Sequence, residues 1–514
     1  MNTLKDALTY QPVELGFGTS GLRGLVTDMT DLECYINSRG FLEFLEQNKD
    51  IESTEIYIAG DLRKTTPRIL QAVLRAVTDK GYVAIYCGLI PTPALAYYAS
   101  LKHSPCIMVT GSHIPDDRNG IKFYKSTGEV LKEDEHAIKA CVAHIREQLY
   151  AQEVEESSFN PDGSQRDPQP LIAIEPAAEE LFLKRYTALF PSTALAGKKV
   201  VVYQHSAVGR DFLVHLLEAL GAEAIAVGRS ESFIPIDTEN VTPANQAYFH
   251  ELATQYPDAF AIISTDGDSD RPFVIDERGV FHRGDVLGAL IAEWLNADLA
   301  TMPISSSDAA DQYLTDKGIE WKHTKIGSPY VITAMQEAQE HAGRVVGWEV
   351  NGGFMTGSDF SLGAGTLSAL PTRDAVLPII GALLFAIEKN VSISKLFVRL
   401  PERFTDAGLI DNFPSETSKK IMAHFEADTP ANRAELSHFF TSDEGFDAIA
   451  GINTLDGIRI FFKSGDIAHL RPSGNAPQLR MYSVAGTEER AAEIVRLGIK
   501  EPHGILRRIE KDLF

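Results

Sequence analysis

The sequence predicts an α/β protein of several domains, with three successive α/β units followed by a C-terminal α+β unit. Three observations carry this expectation. A chain of 514 residues has room for three or four domains of about 150 residues each. Apolar strand-like runs alternate with amphipathic stretches along most of it, and beyond residue 410 that rhythm gives way to closely spaced alternating segments.

In the first region EIYIAGD, VAIYCGL and PCIMVTGS read as strands, separated by the helical stretches RKTTPRILQAVLRAVTDKG and PTPALAYYASLKH. The second unit opens with KKVVVYQHSAVGRDFLVHLLEALGAEAIAV, a buried strand followed by a helix that ends near Gly221. AFAIISTDGDSDR then runs an apolar strand into a polar turn, and WKHTKIGSPYVITAMQEAQEHAGRVVGWEVNG repeats the rhythm with a glycine-rich loop after its last strand. FDAIAGINTLDGIRIFFKSGDIAHLRPSG alternates as a small antiparallel sheet does, before the helical EERAAEIVRLGIK. The polar stretches 157–170 and 296–307 are expected as linkers or surface loops. The expected domains are therefore 1–168, 169–296, 297–410 and 411–514.

Composition excludes several function classes. Asp and Glu number 71 against 48 Lys and Arg, for a net charge of -23, which argues against a protein that wraps nucleic acid and leaves room only for a local basic pocket. The N-terminus lacks the basic, apolar and small-residue regions of a secretory signal, and no apolar span of membrane length follows, so no membrane association is expected. Cys34, Cys87, Cys106 and Cys141 have no metal-ligand spacing and suit a reducing compartment, which leads to the expectation of a cytoplasmic protein.

Five loops hold residues that can carry chemistry. Asp266, Asp268 and Asp270 alternate in a tight turn after a strand, so their oxygens can converge on a hard cation such as Mg²⁺; a solvated acidic turn is the plainer alternative. Ser112 follows an apolar strand that can expose its hydroxyl, with His113 beside it and Lys122 able to supply charge or move a proton. Thr19, Ser20 and Arg23 lie in a glycine-rich turn suited to a phosphorylated ligand, although it lacks the P-loop pattern. Arg471, Ser473 and Asn475, with Arg480 beyond them, offer guanidinium forks and loop amides to phosphate, or form an ordinary surface turn. Glu349 and Asn351 can grip sugar hydroxyls in opposite donor and acceptor senses, or Glu349 can pair with a surface lysine.

Together GTSGLRG at 18–24, TGSHIPDDRNGIKFY at 110–124, DGDSDR at 266–271, EVNGG at 349–353 and RPSGNAP at 471–477 resemble the motifs of the α-D-phosphohexomutase family, in the family's order and over nearly the whole chain. The resemblance implies four domains around a central cleft, three with a shared α/β core and a different fourth. It implies that Ser112 carries the transferable phosphoryl group, and that Asp266, Asp268 and Asp270 bind Mg²⁺ together with that phosphoserine. Arg271 looks like the residue that helps hold the serine phosphate. Lys122 and Arg23 resemble residues beside the reacting hydroxyl, Lys122 being the better proton carrier because arginine normally stays charged. His113 then orients the phosphoserine, Glu349 and Asn351 read the sugar, and Arg471, Ser473, Asn475 and Arg480 hold the phosphate that does not react.

The implied activity is interconversion of hexose 1-phosphate and hexose 6-phosphate through a hexose 1,6-bisphosphate that turns around while bound. Phosphomannomutase is preferred, followed by phosphoglucomutase, then phosphoglucosamine or phosphopentose mutase. A metal-dependent sugar phosphatase or a non-catalytic sugar-phosphate binder would use the same loops differently. The chain departs from the family's common forms at Asn475 and Ala476 in place of Thr and Glu, at Asn351 and Gly353 in place of Ser and His, and at Ser328, where some members carry a histidine.

Overall fold

A computed structural model describes residues 3–18, 21–473 and 477–513. It divides into two compact units, Met1–Ala300 with Gly327–Phe397, and Thr301–Ile326 with Val398–Phe514.

The first unit opens on a mixed sheet in the order Gly16–Phe17, Gly21–Leu25, Arg118–Lys125, Cys106–Val109, Glu55–Gly60, Val83–Leu89. The last three strands run parallel, and Arg118–Lys125 is antiparallel to both of its neighbours. The helix Thr66–Asp79 forms because Pro67 suits its first turn and Ile69, Leu70, Val73, Leu74, Ala76 and Val77 line one apolar stripe, which buries against this sheet's core. A second sheet follows in the order Phe281–His282, Pro272–Ile275, Ala261–Thr265, Lys199–Tyr203, Glu223–Val227. Within its parallel strands Ala261–Thr265, Lys199–Tyr203 and Glu223–Val227, residues 200–203 and 261–263 form continuous buried apolar runs. Val345–Trp348, Phe354–Thr356 and Leu370–Asp374 then pair antiparallel beside the helices Ser328–Ala338 and Val376–Glu388.

The second unit contains the five-stranded antiparallel sheet expected of an α+β domain, in the order Phe404–Ile410, Leu479–Ala485, Ile467–Pro472, Ile458–Phe462, Ile449–Asn453. The helix Glu488–Ile499, capped by the Thr487 hydroxyl accepting from the Arg490 amide, packs on it through Val495 and Ile499. An expected boundary near 410 falls at the end of a strand that pairs along its whole length with Leu479–Ala485.

Two stretches expected as linkers or loops differ. Residues 296–307 contain the fully buried strand Leu299–Pro303, which the flanking Asn, Asp and Ser residues disguise. Within 157–170, Phe159 is buried and packs edge-on against Tyr35, while the Gln165 amide donates to Asp31. Among the described residues no helix is long and apolar enough to cross a membrane, and all four cysteines are buried free thiols.

Candidate active site

Ser112 follows the strand Cys106–Val109 in a left-handed conformation, φ 55°. Its amide donates to the Thr110 hydroxyl at 2.8 Å, and Thr110 in turn donates to Asp61 at 2.7 Å. The turn thus fixes the direction in which the serine side chain leaves the backbone. Its Oγ donates to Asp266 Oδ2 at 2.7 Å and lies 3.3 Å from His113 Nδ1.

Asp266 belongs to the loop joining the antiparallel strands Ala261–Thr265 and Pro272–Ile275. The loop is braced from within: Asp266 Oδ1 accepts from the amides of Asp270 and Arg271, each at 3.2 Å, while Ser269 Oγ lies 2.8 Å from the Thr265 hydroxyl. Gly267 permits the approach of the two loops, since a Cβ there would stand 2.5 Å from the Ser112 carbonyl oxygen. One oxygen from each of Asp266, Asp268 and Asp270 comes within 4.8 Å of the other two, and all three residues are buried. Asp268 Oδ1 and Asp270 Oδ1 are buried without a hydrogen-bond partner among the described residues. Orphaned anionic oxygens in a dry, converging set fit a hard divalent cation, so these residues could hold a metal ion.

The cations around the triad are equally defined. Lys122 Nζ bridges Asp268 Oδ2 and Asp270 Oδ2, at 2.6 Å to each, and Asp268 also accepts from the Thr92 hydroxyl at 2.5 Å. Lys122 pairs with Gly21 and Arg23 with Gly120 in adjacent antiparallel strands, which places both cations on one face of the sheet. Arg271 Nε stands 3.6 Å from Asp270 and 3.8 Å from Asp266.

Burial, reinforced by repulsion from Asp268 and Asp270, pushes the Asp266 carboxyl well above the usual range. Burial acts the same way on Asp268, but the Lys122 ammonium outweighs it and holds that carboxyl below its ordinary value. Burial and the nearby Arg271 and Arg23 guanidinium groups push the His113 imidazole well below its ordinary value, so the ring is neutral near pH 7. Burial and the guanidinium groups of Arg271 and Arg373 lower Arg23 to about 10, which leaves it charged there.

The loop after Val345–Trp348 carries Glu349 and Asn351. Glu349 does not pair with a surface lysine: its Oε2 accepts from the buried Arg373 Nη1 at 2.9 Å, and Arg373 Nε lies 3.2 Å from Asp270. Arg373 therefore links the sugar-reading candidate to the acidic triad. Asn351 Oδ1 accepts from the Gly353 amide at 3.0 Å. Ser328 is buried and donates to Glu129 at 2.8 Å.

Arg63 is a second functional candidate that sequence reasoning missed. It is 1% exposed, and its guanidinium donates to the carbonyl oxygens of Ser112 (3.0 Å), Ile114 (2.5 Å), Pro115 (2.8 Å) and Arg118 (3.0 Å), with Asp61 at 3.3 Å on its other side. One planar fork thereby shapes the whole serine loop. A lysine cannot reproduce that fan of donors. Arg63→Lys is expected to lower thermal stability by about 3 kcal/mol, as buried charge networks do when broken, and to reduce turnover more than substrate affinity; calorimetry and initial-rate kinetics check both.

In the second unit, Arg471 and Arg480 stand directly opposite each other on the hairpin strands Ile467–Pro472 and Leu479–Ala485. Like charges at facing positions repel, so the pair suits an anion. Arg471 Nε lies 3.1 Å from Asp456, and the Ser473 amide donates to the Gln478 carbonyl at 2.9 Å. Thr19, Ser20 and Asn475 lie outside the described residues.

Two places along the same strand, His469 donates from Nε2 to the Asp456 carbonyl at 2.7 Å, and its Nδ1 is buried without a hydrogen-bond partner among the described residues. Burial and the Arg459 guanidinium lower its pKa to about 3. The unfolded chain protonates this histidine near pH 6.5, so the neutral ring's contribution is complete above that pH and is lost as the pH falls toward 3. At pH 5 the loss is about 2 kcal/mol. His469→Gln is expected to flatten the fall in the melting temperature of the C-terminal unit between pH 7 and pH 5.

Residues 14–149 match the family model for phosphoglucomutase/phosphomannomutase alpha/beta/alpha domain I, and residues 283–404 match that for alpha/beta/alpha domain III. A phosphomannomutase of Sinorhizobium fredii is 39% identical over 94% of this chain and 98% of its own, and one of Salmonella muenchen is 38% identical over 94% of each. The chain belongs to the phosphoglucomutase/phosphomannomutase family. As a phosphohexomutase it is an intramolecular phosphotransferase. The phosphohexomutase fold extends over the whole length: a phosphoglucomutase/phosphomannomutase family protein of Burkholderia thailandensis superposes with a TM-score of 0.70 at 19% identity, over 96% of this chain and 97% of that one.

Proposed function

We propose that this phosphohexomutase is a Mg²⁺-dependent phosphomannomutase, which interconverts hexose 1-phosphate and hexose 6-phosphate through phosphorylated Ser112 and a bound hexose 1,6-bisphosphate. The observation that carries the reading is Ser112 Oγ held 2.7 Å from Asp266, within a triad of converging buried carboxylates. The names of the bacterial relatives similar along nearly their whole length favour mannose over glucose.

In this reading the bond between Ser112 Oγ and phosphorus breaks as the free sugar hydroxyl bonds to that phosphorus. Lys122 relays the proton, giving one to the departing Ser112 Oγ and taking that of the sugar hydroxyl in exchange, and the neutral His113 imidazole orients the serine. Arg23 and Arg271 remain cationic and balance the charge of the transferring group. Asp266, Asp268 and Asp270 would hold Mg²⁺, which when bound neutralises charge developing on the phosphoryl oxygens. Glu349 and Asn351 read the sugar, while Arg471, Ser473, Asn475 and Arg480, with Thr19 and Ser20 of the N-terminal turn, bind phosphate and sugar oxygens. The bisphosphate turns around, its other phosphate returns to Ser112, and the isomeric monophosphate leaves. The segments 1–168, 169–296, 297–410 and 411–514 are the four domains of this reading, and the buried thiols accord with a cytoplasmic enzyme.

The test combines purified protein, Mg²⁺, catalytic hexose 1,6-bisphosphate and, separately, mannose, glucose, glucosamine or ribose 1-phosphate. Fastest conversion of mannose 1-phosphate to the 6-phosphate is expected. Stoichiometric release of inorganic phosphate without isomerisation would replace the mutase by a phosphatase, and preference for another sugar would overturn the mannose assignment.

A further inference from the structure

Glu239 belongs to none of the five motif loops, yet it meets one of them. It follows the strand Glu223–Val227, in the connection that leads to the helix Pro243–Gln255. Its amide donates to the Asp237 carboxylate at 2.9 Å, which fixes the turn. From there Oε1 accepts from Asn351 Nδ2 at 3.2 Å, and the neighbouring Thr238 hydroxyl donates to the Asn351 carbonyl at 2.9 Å. With Oδ1 of Asn351 already accepting from the Gly353 amide, the carboxamide is pinned at both ends. Its oxygen and nitrogen are thereby assigned, and it can show a sugar only one remaining N–H and one remaining lone pair.

The other carboxylate oxygen has a different standing. Among the described residues Oε2 of Glu239 makes no hydrogen bond, and the residue is exposed. Arg271, Arg283 and Glu349 are all close enough to act on it electrostatically. The backbone beneath is tightly packed: a Cβ on Gly284 would lie 2.1 Å from the Gly352 amide nitrogen, so the segment carrying Arg283 rests directly on the Asn351 loop. A carboxylate oxygen without a protein donor, on an exposed residue beside a pinned amide, is placed to accept from a neutral donor such as a hydroxyl.

We infer that Glu239 is a third sugar-reading residue of this enzyme: Oε1 sets the orientation of Asn351, and Oε2 accepts a hydrogen bond from one ring hydroxyl of the bound hexose phosphate. The inference rests on the mutase reading and adds to it a contact from the second α/β segment. It makes the choice of sugar a joint property of the 238–239 turn and the 349–353 loop, which lie more than a hundred residues apart in sequence.

The experiment measures kcat and KM of the wild type, Glu239→Ala and Glu239→Gln with the best hexose 1-phosphate and with its 2-, 3- and 4-deoxy analogues. A hydrogen bond to a charged group corresponds to roughly a tenfold or greater change in affinity. Glu239→Ala is expected to raise KM about tenfold or more, with a smaller change in kcat, and Glu239→Gln, which keeps an acceptor for Asn351, should recover part of that loss. One deoxy analogue should lose affinity with the wild type and lose nothing further with Glu239→Ala, and that analogue identifies the hydroxyl. Unchanged KM in Glu239→Ala, or an equal loss across every analogue, would overturn the inference. A wild type without mutase turnover in the same assay would instead overturn the mutase reading. Circular dichroism on both variants separates misfolding from loss of contact.

Discussion

Ser112→Ala abolishes mutase turnover, with an expected fall of about 10⁶-fold, because alanine has no oxygen to form the phosphoester that both half-reactions share. Losses of this order accompany removal of a covalent nucleophile. Hexose phosphate binding, measured by calorimetry, should persist, since the residues proposed to grip sugar and phosphate are untouched. The Ser112 hydroxyl makes one hydrogen bond to Asp266 and one contact to His113, whereas the loop's shape depends on its backbone amide and carbonyl groups. The variant should therefore fold normally. Intact-protein mass after incubation with hexose 1,6-bisphosphate should show one phosphoryl increment in the wild type and none in Ser112→Ala. Turnover equal to that of the wild type would reject phosphoserine catalysis.

Asp268→Asn is expected to lower turnover by about 10³-fold, equivalent to roughly 4 kcal/mol of transition-state stabilisation. Asn keeps the volume of Asp and can still accept from the Thr92 hydroxyl, so the change is one of charge. It removes the charge of one of the two carboxylates bridged by Lys122 and of one of the three residues whose oxygens converge. Weaker Mg²⁺ binding, read by titration of the free protein, should accompany the kinetic loss. Unaltered Mg²⁺ affinity together with unaltered turnover would remove the triad from the mechanism.

The site was legible wherever its chemistry is local. Asp266, Asp268 and Asp270 are separated by single residues, so a turn of any tight geometry brings them together, and the strands on either side are apolar enough to declare themselves. Ser112 and His113 are neighbours for the same reason. The alternation after residue 446 likewise disclosed the C-terminal sheet, whose registers pair Arg471 with Arg480.

Arg63, Arg373 and Glu239 were invisible because their partners are set by tertiary register. Arg63 meets carbonyl groups 49 to 55 residues further along the chain, Arg373 joins Glu349 from a separate strand, and Glu239 reaches Asn351 across 112 residues. No local spacing distinguishes such a residue from a solvated arginine or glutamate. The strand Leu299–Pro303 was hidden by its polar flanks, since the six residues between Asp298 and a run of serines look like a connection until their burial is known. Phe159 was obscured in the same way by the prolines and polar residues around it.

The grip of Arg63 bears on how such an enzyme can diversify. A segment held through its carbonyl oxygens is nearly indifferent to the side chains it displays, because every amino acid brings the same acceptor. The stretch that follows the nucleophile can therefore be rewritten to suit a new sugar while the reactive oxygen keeps its aim. Tolerance to variation and constancy of reaction chemistry then share one anchoring guanidinium.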